Sequence, residues 1–535
     1  MNRKLLSYVS IVFSLLSFSP AAAQSLTVTN TAPGALQQQL TESVRFTIGE
    51  LKVGGPLNSA DLKLIQLIAD RTKAKKGETV LTDLDLSEAV IVDDKLGTSI
   101  HQLPNAFFDG CEKLTSIVLP DSLAIISRNL FNGCKGLEEV KIPAMVTTIG
   151  DNAFSRCTAL KRMKLPEGVK SLGENVFRGC KSLEYVTLPD SIAALPDGLF
   201  DGCEQLSAIR LPSSVREIGD EAFQGCSALE IVETDRGVLK IGRYAFDGCK
   251  ALTDIDLDDV TDLGTAAFKD CSSLSAAGLS SVSRLENNAF DGCERLETVK
   301  LGDNLKTIGK NAFRGCKSLA AIGLPQSLTR IGDCAFEDCA SLDVVAIPAL
   351  VRQVGNAAFA GCLLLDSVYI GGKVEKIESQ LFRGCQSLRI VQLPISVKEI
   401  GDEAFQGCIS LAGVRLPVAL GSIGDEAFDR CLSLTQLVVP PSCTSIGSAA
   451  FRECSALRSV ELPASMRKIG SNAFAKCVTL EEFRMKSPLP PSISSNTFKG
   501  VVTAMCRFIV PKGAKVRYYS DKNWSKAVTI FVEQQ

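Results

Sequence analysis

The sequence predicts a β-rich solenoid of about 17 rungs of 23 residues. Three observations carry that expectation. The nine residues IGDEAFQGC occur twice, letter for letter, at 218–226 and 400–408. Cysteines recur at a fixed step, and hydrophobic residues recur at fixed offsets from each cysteine. A constant period in this range marks a tandem array of coils that bury their apolar sides against one another.

The register cysteines fall at 111, 134, 157, 180, 203, 226, 249, 271, 293, 316, 339, 362, 385, 408, 431, 454 and 477. The step is 23 residues, with two steps of 22 around Cys271, so the 182 residues between the identical stretches are eight steps less two. Counting from the cysteines, a hydrophobic residue recurs at +3, +6, +8, +12 and +15, with phenylalanine at +20 wherever the step is 23. The unit from Cys134 shows the pattern: Leu137, Val140, Ile142, Pro143, Val146, Ile149, Gly150, Ala153, Phe154.

Each part of the unit predicts an element. L-x-x-V-x-L alternates and is rich in branched residues, so it reads as a short parallel strand. Proline closes most of these strands, as at Pro120, Pro212 and Pro463; it has no N–H to continue a ladder. V-x-x-I-G reads as a second, shorter extended segment, whose glycine suits a left-handed or tight turn. Aspartate or serine next (Asp151, Asp220, Asp402, Ser471) is placed to cap a single helical turn, x-x-A-F-x-G-C.

The full motif, L-x-x-V-x-L-P-x-x-V-x-x-I-G-x-x-A-F-x-G-C, resembles the BspA-like leucine-rich repeat family of bacterial surface proteins, over roughly residues 100–500. The flanks LKVGGPLNSADLKLIQLIAD with LTDLDLSEAVIV, and CRFIVPKGAKVRYYSDKNWSKAVTIFVE, resemble the caps of its Bacteroidetes-type members. The resemblance implies a leucine-rich-repeat solenoid, export, and protein contact or adhesion. It implies no enzyme.

The expected organisation is a signal peptide at 1–23, an N-terminal cap at 24–105, the solenoid at 106–485 and a C-terminal cap at 486–535. MNRK supplies a basic start, LLSYVSIVFSLLSF an apolar run, and Ala21-Ala22-Ala23 a cleavage site. No cysteine precedes Cys111, so a lipid-modified cysteine is not expected, and no integral membrane segment is expected after cleavage. In the N-terminal cap, Leu62, Leu64, Ile65 and Leu67–Ile68 repeat near helical spacing, which predicts a helix over 59–70.

Twenty cysteines in an exported chain invite a disulfide framework. For the repeat this is not expected, because successive thiols stack with parallel Cβ vectors and serve as small buried apolar groups. No C-x-x-C pair is present to chelate zinc, so no metal is expected. Cys334, Cys443 and Cys506 lie off the register, and Cys334 is expected near the surface of its turn.

Catalytic chemistry has little to build on. His101 is the single histidine, with no nucleophile and orienting acid in view. Glycines recur at the repeat period and not as a phosphate loop. No catalytic residues, cofactor or nucleic-acid partner are expected; the net charge is only −2.

A partner is expected on the strand face, at +4, +5 and +7 from each cysteine. One charged stretch, Lys161, Arg162, Lys164 and Arg210 with Tyr185, gives way to Glu230, Glu233, Asp254 and Asp256. It reads either as cross-strand pairing for stability or as an electrostatic docking surface. A mildly apolar stretch holds Val344, Tyr369 and Ile390 beside several alanines, and reads either as filler or as a contact patch. At 235–302 the junction prolines become Asp235, Asp258, Ser280 and Gly302, which is either drift or a shaped surface.

The expected function is therefore an exported, non-enzymatic protein-binding scaffold, secreted or on the cell surface, with the periplasm also open. Its partner is an extracellular or cell-surface protein, host matrix proteins included. The alternatives are a structural protein of the cell envelope and a glycan-binding protein. Six tyrosines and one tryptophan, Trp524 outside the array, speak against the last.

Overall fold

A computed structural model describes residues 24–70, 79–92, 100–234 and 237–534. The expected signal peptide at 1–23, and Asp235 of the irregular stretch, lie outside the described residues. The chain forms two compact units, Met1–Ile255 and Asp256–Gln535, and the boundary falls inside that irregular stretch.

The fold is a parallel β-solenoid of about 21 turns of ~23 residues, more than the 17 expected. The extra turns come from the ends. In the first unit Gln24–Thr29 pairs with Ile48–Leu57, which pairs with Asp83–Asp85, which joins the repeat at Ser116–Val118. In the second, Glu482–Met485 pairs with Arg507–Val510, which pairs with Phe531–Glu533. Gln24–Thr29, Ile48–Leu57, Asp83–Asp85, Arg507–Val510 and Phe531–Glu533 lack the phenylalanine–cysteine spacing, so the period misses them. Parallel pairing needs only matching backbones, and the ladder continues through them.

Two sides of each coil follow the pattern. Arg162, Met163 and Lys164 pair in register with Tyr185, Val186 and Thr187. Met163 and Val186 point inward and are buried, while Arg162, Lys164 and Tyr185 point out; this is the period-2 alternation of a half-buried strand. Thr148–Ile149 and Ser171–Leu172 form the second, two-residue ladder.

The third side is not a helical turn. Asn152 and Arg156 are left-handed, at φ 53° and 60°. They turn alternate peptide planes, so that turn bonds and inter-coil bonds alternate. Ser155 N–H donates to Asn152 O (3.1 Å) and Cys157 N–H to Phe154 O (3.2 Å), whereas Asn152, Phe154 and Arg156 donate to Glu174, Val176 and Arg178 of the next coil. A buried backbone group needs a partner, and here the neighbouring coil supplies half of them.

The aspartate beside this turn also acts between coils. Asp220 N–H donates to Asp197 Oδ1 (2.7 Å), and Asp220 Oδ1 accepts from Arg243 N–H (2.6 Å). The same bond runs from Asp425 N–H to Asp402 and from Ser448 N–H to Asp425. The glycine before it is not left-handed. A Cβ on Gly447 would lie 2.4 Å from the Gly424 carbonyl carbon, so glycine is required by close approach of the coils.

Phenylalanine fills the core. Rings from Phe108 to Phe246 stack at 5.1–5.7 Å in the first unit, and from Phe268 to Phe474 at 5.0–5.9 Å in the second. The spacing suits offset-stacked rings. At the C-terminal end Trp524 is buried and donates from Nε1 to Pro491 O (2.7 Å), and Tyr518 OH donates to Ser487 O (2.9 Å). Near the N-terminus the helix Ser59–Ala69 is held by a capping box between Asn58 and Asp61. Its buried face uses Leu62, Leu64, Ile65 and Ile68; Leu67, expected on that face, is 62% exposed, since it lies across the helix from Leu62 and Ile65.

Candidate functional site

The strand side presents outward side chains from successive coils on a hydrogen-bonded frame. In the first unit Lys161, Arg162 and Lys164 project from one coil, Tyr185 stands beside Arg162 on the next strand, and Arg210 is in register with Glu233. All are exposed. In the second unit Val344 and Ile390 flank Ser367 in one column, and Tyr369 lies between Ala346 and Gln392 in the next. The eight candidate residues therefore form two groups, one in each unit.

Charges elsewhere pair at one-coil spacing. Lys135 meets Glu112 at 2.6 Å, Arg178 meets Asp201 at 2.8 Å, and Lys317 meets Glu294 at 2.7 Å. Asp429, 1% exposed at its side chain, accepts from Arg452 Nε and Nη2, both at 2.8 Å. Among the described residues, Lys161, Arg162, Lys164, Glu230 and Glu233 make no ion pair. Opposite charges stand one coil apart in this stretch: Glu184 follows Lys161 in its column, and Glu233 is in register with Arg210, at the ~4.8 Å strand spacing.

In the second unit a groove of about 510 Å³ is lined by Asp343, Val344, Leu364, Asp366, Ser387, Arg389 and Ser410. Asp366 and Arg389 form an ion pair across it, which holds the Asp366 carboxyl below the usual carboxylate range after the Ser367 hydrogen bond. Exposed Leu363, Ile409 and Leu432 stand one residue past their cysteines, the position that carries the Lys135–Glu112 and Lys317–Glu294 pairs earlier in the chain. Reading the sequence down the +4, +5 and +7 columns passes over these leucines. The +1 column, read the same way, shows the change from charge to apolar.

The cysteines line the interior. Cys134 Sγ donates to Phe108 O at 2.9 Å, Cys226 to Phe200 O at 3.1 Å, and Cys408 to Phe382 O at 3.2 Å. Burial pushes the thiols up, Cys385 to about 12. Cys443 and Cys506 are packed inside, and Cys334 is half-buried as expected. His101 is exposed, with Nδ1 3.4 Å from Ser122 O. Among the described residues no group of three or more His, Cys, Asp or Glu is placed to hold a metal, and no helix is long and apolar enough to cross a membrane.

These features define a repeat scaffold with an open strand face. The sequence pattern of the BspA type leucine rich repeat region, in 6 copies, matches residues 91–207, 193–281, 278–389 and 375–504. The chain belongs to that family. No curated protein matches it. Among solved structures, a leucine-rich repeat protein from Bacteroides ovatus is 25% identical, over 85% of this chain and 84% of that one, with a TM-score of 0.29. A leucine rich cell surface protein from Faecalibacterium prausnitzii is 25% identical, over 61% and 87%, at 0.38. A leucine rich repeat protein from T. pallidum is 31% identical, over 38% and 78%, at 0.27. Solenoids of this kind are typically non-enzymatic binding scaffolds.

Proposed function

We propose that this chain is an exported, non-enzymatic scaffold that binds an extracellular or cell-surface protein through its strand face, in adhesion or contact with a host or neighbouring cell. The carrying observation is the alternation along each strand. Inward residues are apolar in nearly every coil and fix the frame, while outward residues change in charge and size from coil to coil. A rigid frame with freely varied outward positions is the arrangement repeat proteins use for recognition. The export-like start at 1–23 supports a secreted or surface location. Lys161, Arg162, Lys164, Tyr185 and Arg210 in the first unit, and Val344, Tyr369 and Ile390 in the second, are the proposed contact residues.

The test is a binding screen of the purified chain against immobilised matrix proteins, mucins, glycans and the producer's own envelope, at two salt concentrations. Saturable capture of a protein, weakened by Tyr369→Ala or by reversing Arg162 and Lys164, is the expected result. Capture of glycans alone would replace this reading. Trp524 is buried, so it offers no sugar platform.

A further inference from the structure

On the strand side of the second unit the ladder breaks at one coil. Ile390–Gln392 ends a three-stranded sheet, and Gln436–Val438 starts the next. Between them residues 411–417, in the coil of Cys408, form no strand. The second ladder runs on through the same coil, from Glu399 through Ser422 to Ser445, so the break is confined to the strand side. Among the described residues, the N–H groups of Gly413, Val414, Arg415 and Leu416 donate to no protein acceptor. Val414 occupies the inward position that Val368, Val391 and Leu437 fill as buried residues in nearby coils, yet it is part-exposed. A Cβ on Gly413 would meet nothing within 4 Å, so this glycine, unlike Gly447, is not demanded by a neighbouring coil. A glycine in such a strand position leaves room for another backbone to approach.

Arg415 stands in this break. It is exposed and, among the described residues, makes no ion pair and no side-chain hydrogen bond. No acid occupies the +4, +5 or +7 position of its own coil or of either adjacent coil. Asp366 and Glu461, each two coils away on this face, are already paired with Arg389 and Lys486. The surroundings are apolar. Exposed Ile390 lies on one side along the stack and exposed Val438 on the other, while Ile395 and Val418, 82% and 73% exposed, sit at the corner just past the strand. A clustered apolar surface of this kind marks a contact site, and an arginine at its centre is the composition of a binding hot spot.

We propose that this patch docks an extended segment of a partner protein in which one acidic side chain is flanked on both sides by apolar residues. The Arg415 guanidinium takes the carboxylate, in apolar surroundings that strengthen the pair. The unpaired N–H groups of residues 413–416 are left for carbonyls of the segment, which approaches over Gly413 as an added strand does. Ile390 and Val438 take the flanking apolar side chains. Apolar residues on both sides of the arginine select an internal Asp or Glu over a chain-terminal carboxylate, which has chain on one side only.

The inference rests on the strand face being the contact surface, and its test separates the two. The probe is a short fluorescein-labelled peptide, blocked at both ends, with the core Ile-Ser-Glu-Ser-Val, titrated with the whole chain by fluorescence anisotropy. Saturable binding is expected. It should weaken about tenfold or more when the peptide's Glu becomes Gln, or in R415Q, the weight of a charge-assisted hydrogen bond. R415E should prefer a Lys-centred peptide to the Glu-centred one. Both variants should keep the parent circular dichroism and melting temperature, because Arg415 is exposed. Amide hydrogen exchange at residues 413–416 should slow when the Glu peptide is bound. No binding, equal binding of the Glu and Gln peptides, or an unaltered R415Q overturns the inference. So does a preference for a peptide that lacks Glu and ends in a free valine carboxylate. A chain that captures a protein in the screen through Tyr369 or Arg162 and Lys164, with R415Q unaffected, ends this inference and leaves the proposed function standing.

Discussion

Cys157 donates its Sγ–H to the carbonyl oxygen of Phe131 in the preceding coil, at 3.2 Å. The thiol is at once a small apolar filler and the donor that satisfies a buried carbonyl between coils. Successive cysteines repeat the bond, from Cys134 to Cys249 in the first unit and from Cys293 to Cys477 in the second.

Thiol reagents should therefore find the folded chain nearly inert. Cys334 alone is partly open, and burial followed by its hydrogen bond with Glu337 pushes its thiol up to about 11. It should react first and slowly at pH 8, faster as the pH rises, and Cys334→Ser should remove that phase. The rest should react only in denaturant. Rapid labelling of many thiols in the native chain would contradict the packing.

Alkaline pH should destabilise the fold. Burial raises Cys111, Cys385 and Cys477 to about 12, against 9.0 for an unperturbed thiol. Above pH 9 the unfolded chain loses thiol protons that the folded chain keeps, so stability is intact below pH 9 and falls as pH climbs towards 12. Urea midpoints at pH 7.5, 9 and 10, in reductant, measure the decline. Cys385→Ala should lower stability at pH 7.5 and flatten the slope.

Asp220 joins three coils, so Asp220→Ala should cost about 1 kcal/mol, as loss of a capping side chain does. Asp220→Asn should cost less, because an amide oxygen accepts equally well, as Asn287 does from Lys310 N–H at 2.8 Å. Equal losses from both variants in urea denaturation would assign the effect to the Arg243 ion pair instead.

Two ion pairs of similar length should differ in weight. Asp429→Ala removes a buried carboxylate and strands Arg452, which is one-third exposed. The expected loss is about 2–3 kcal/mol, below that of a fully buried pair. Glu112→Ala, on an exposed surface pair, should leave the melting temperature unchanged. Matching melting curves for the two variants would show that burial at Asp429 carries no weight.

The period at Cys111–Cys477 made the coil, its two extended sides and its buried columns legible without coordinates. Phe131 and Leu137 must face inward wherever such coils stack. The glycine of I-G was misjudged because its cause lies in another coil: Gly447 has an ordinary backbone, but a Cβ there would lie 2.4 Å from the Gly424 carbonyl carbon. Asp220 was misplaced for the same reason, its acceptor role facing Arg243 of the next coil. Among candidate contacts, the exposed leucines at 363 and 364 escaped notice because leucine in a leucine-rich unit reads as core.

By itself, the sequence determined the repeat length, the inward phenylalanine and cysteine columns and the family, because hydrophobic periodicity is local and survives without a partner coil. Tertiary structure decided which charges pair and which do not, how far the ladder continues beyond the motif at Gln24–Thr29 and Phe531–Glu533, and that alternate turn N–H groups serve the next coil. Each of these depends on backbone and side chains about 23 residues apart meeting across a ~4.8 Å gap, a distance set by stacking and written in no single unit.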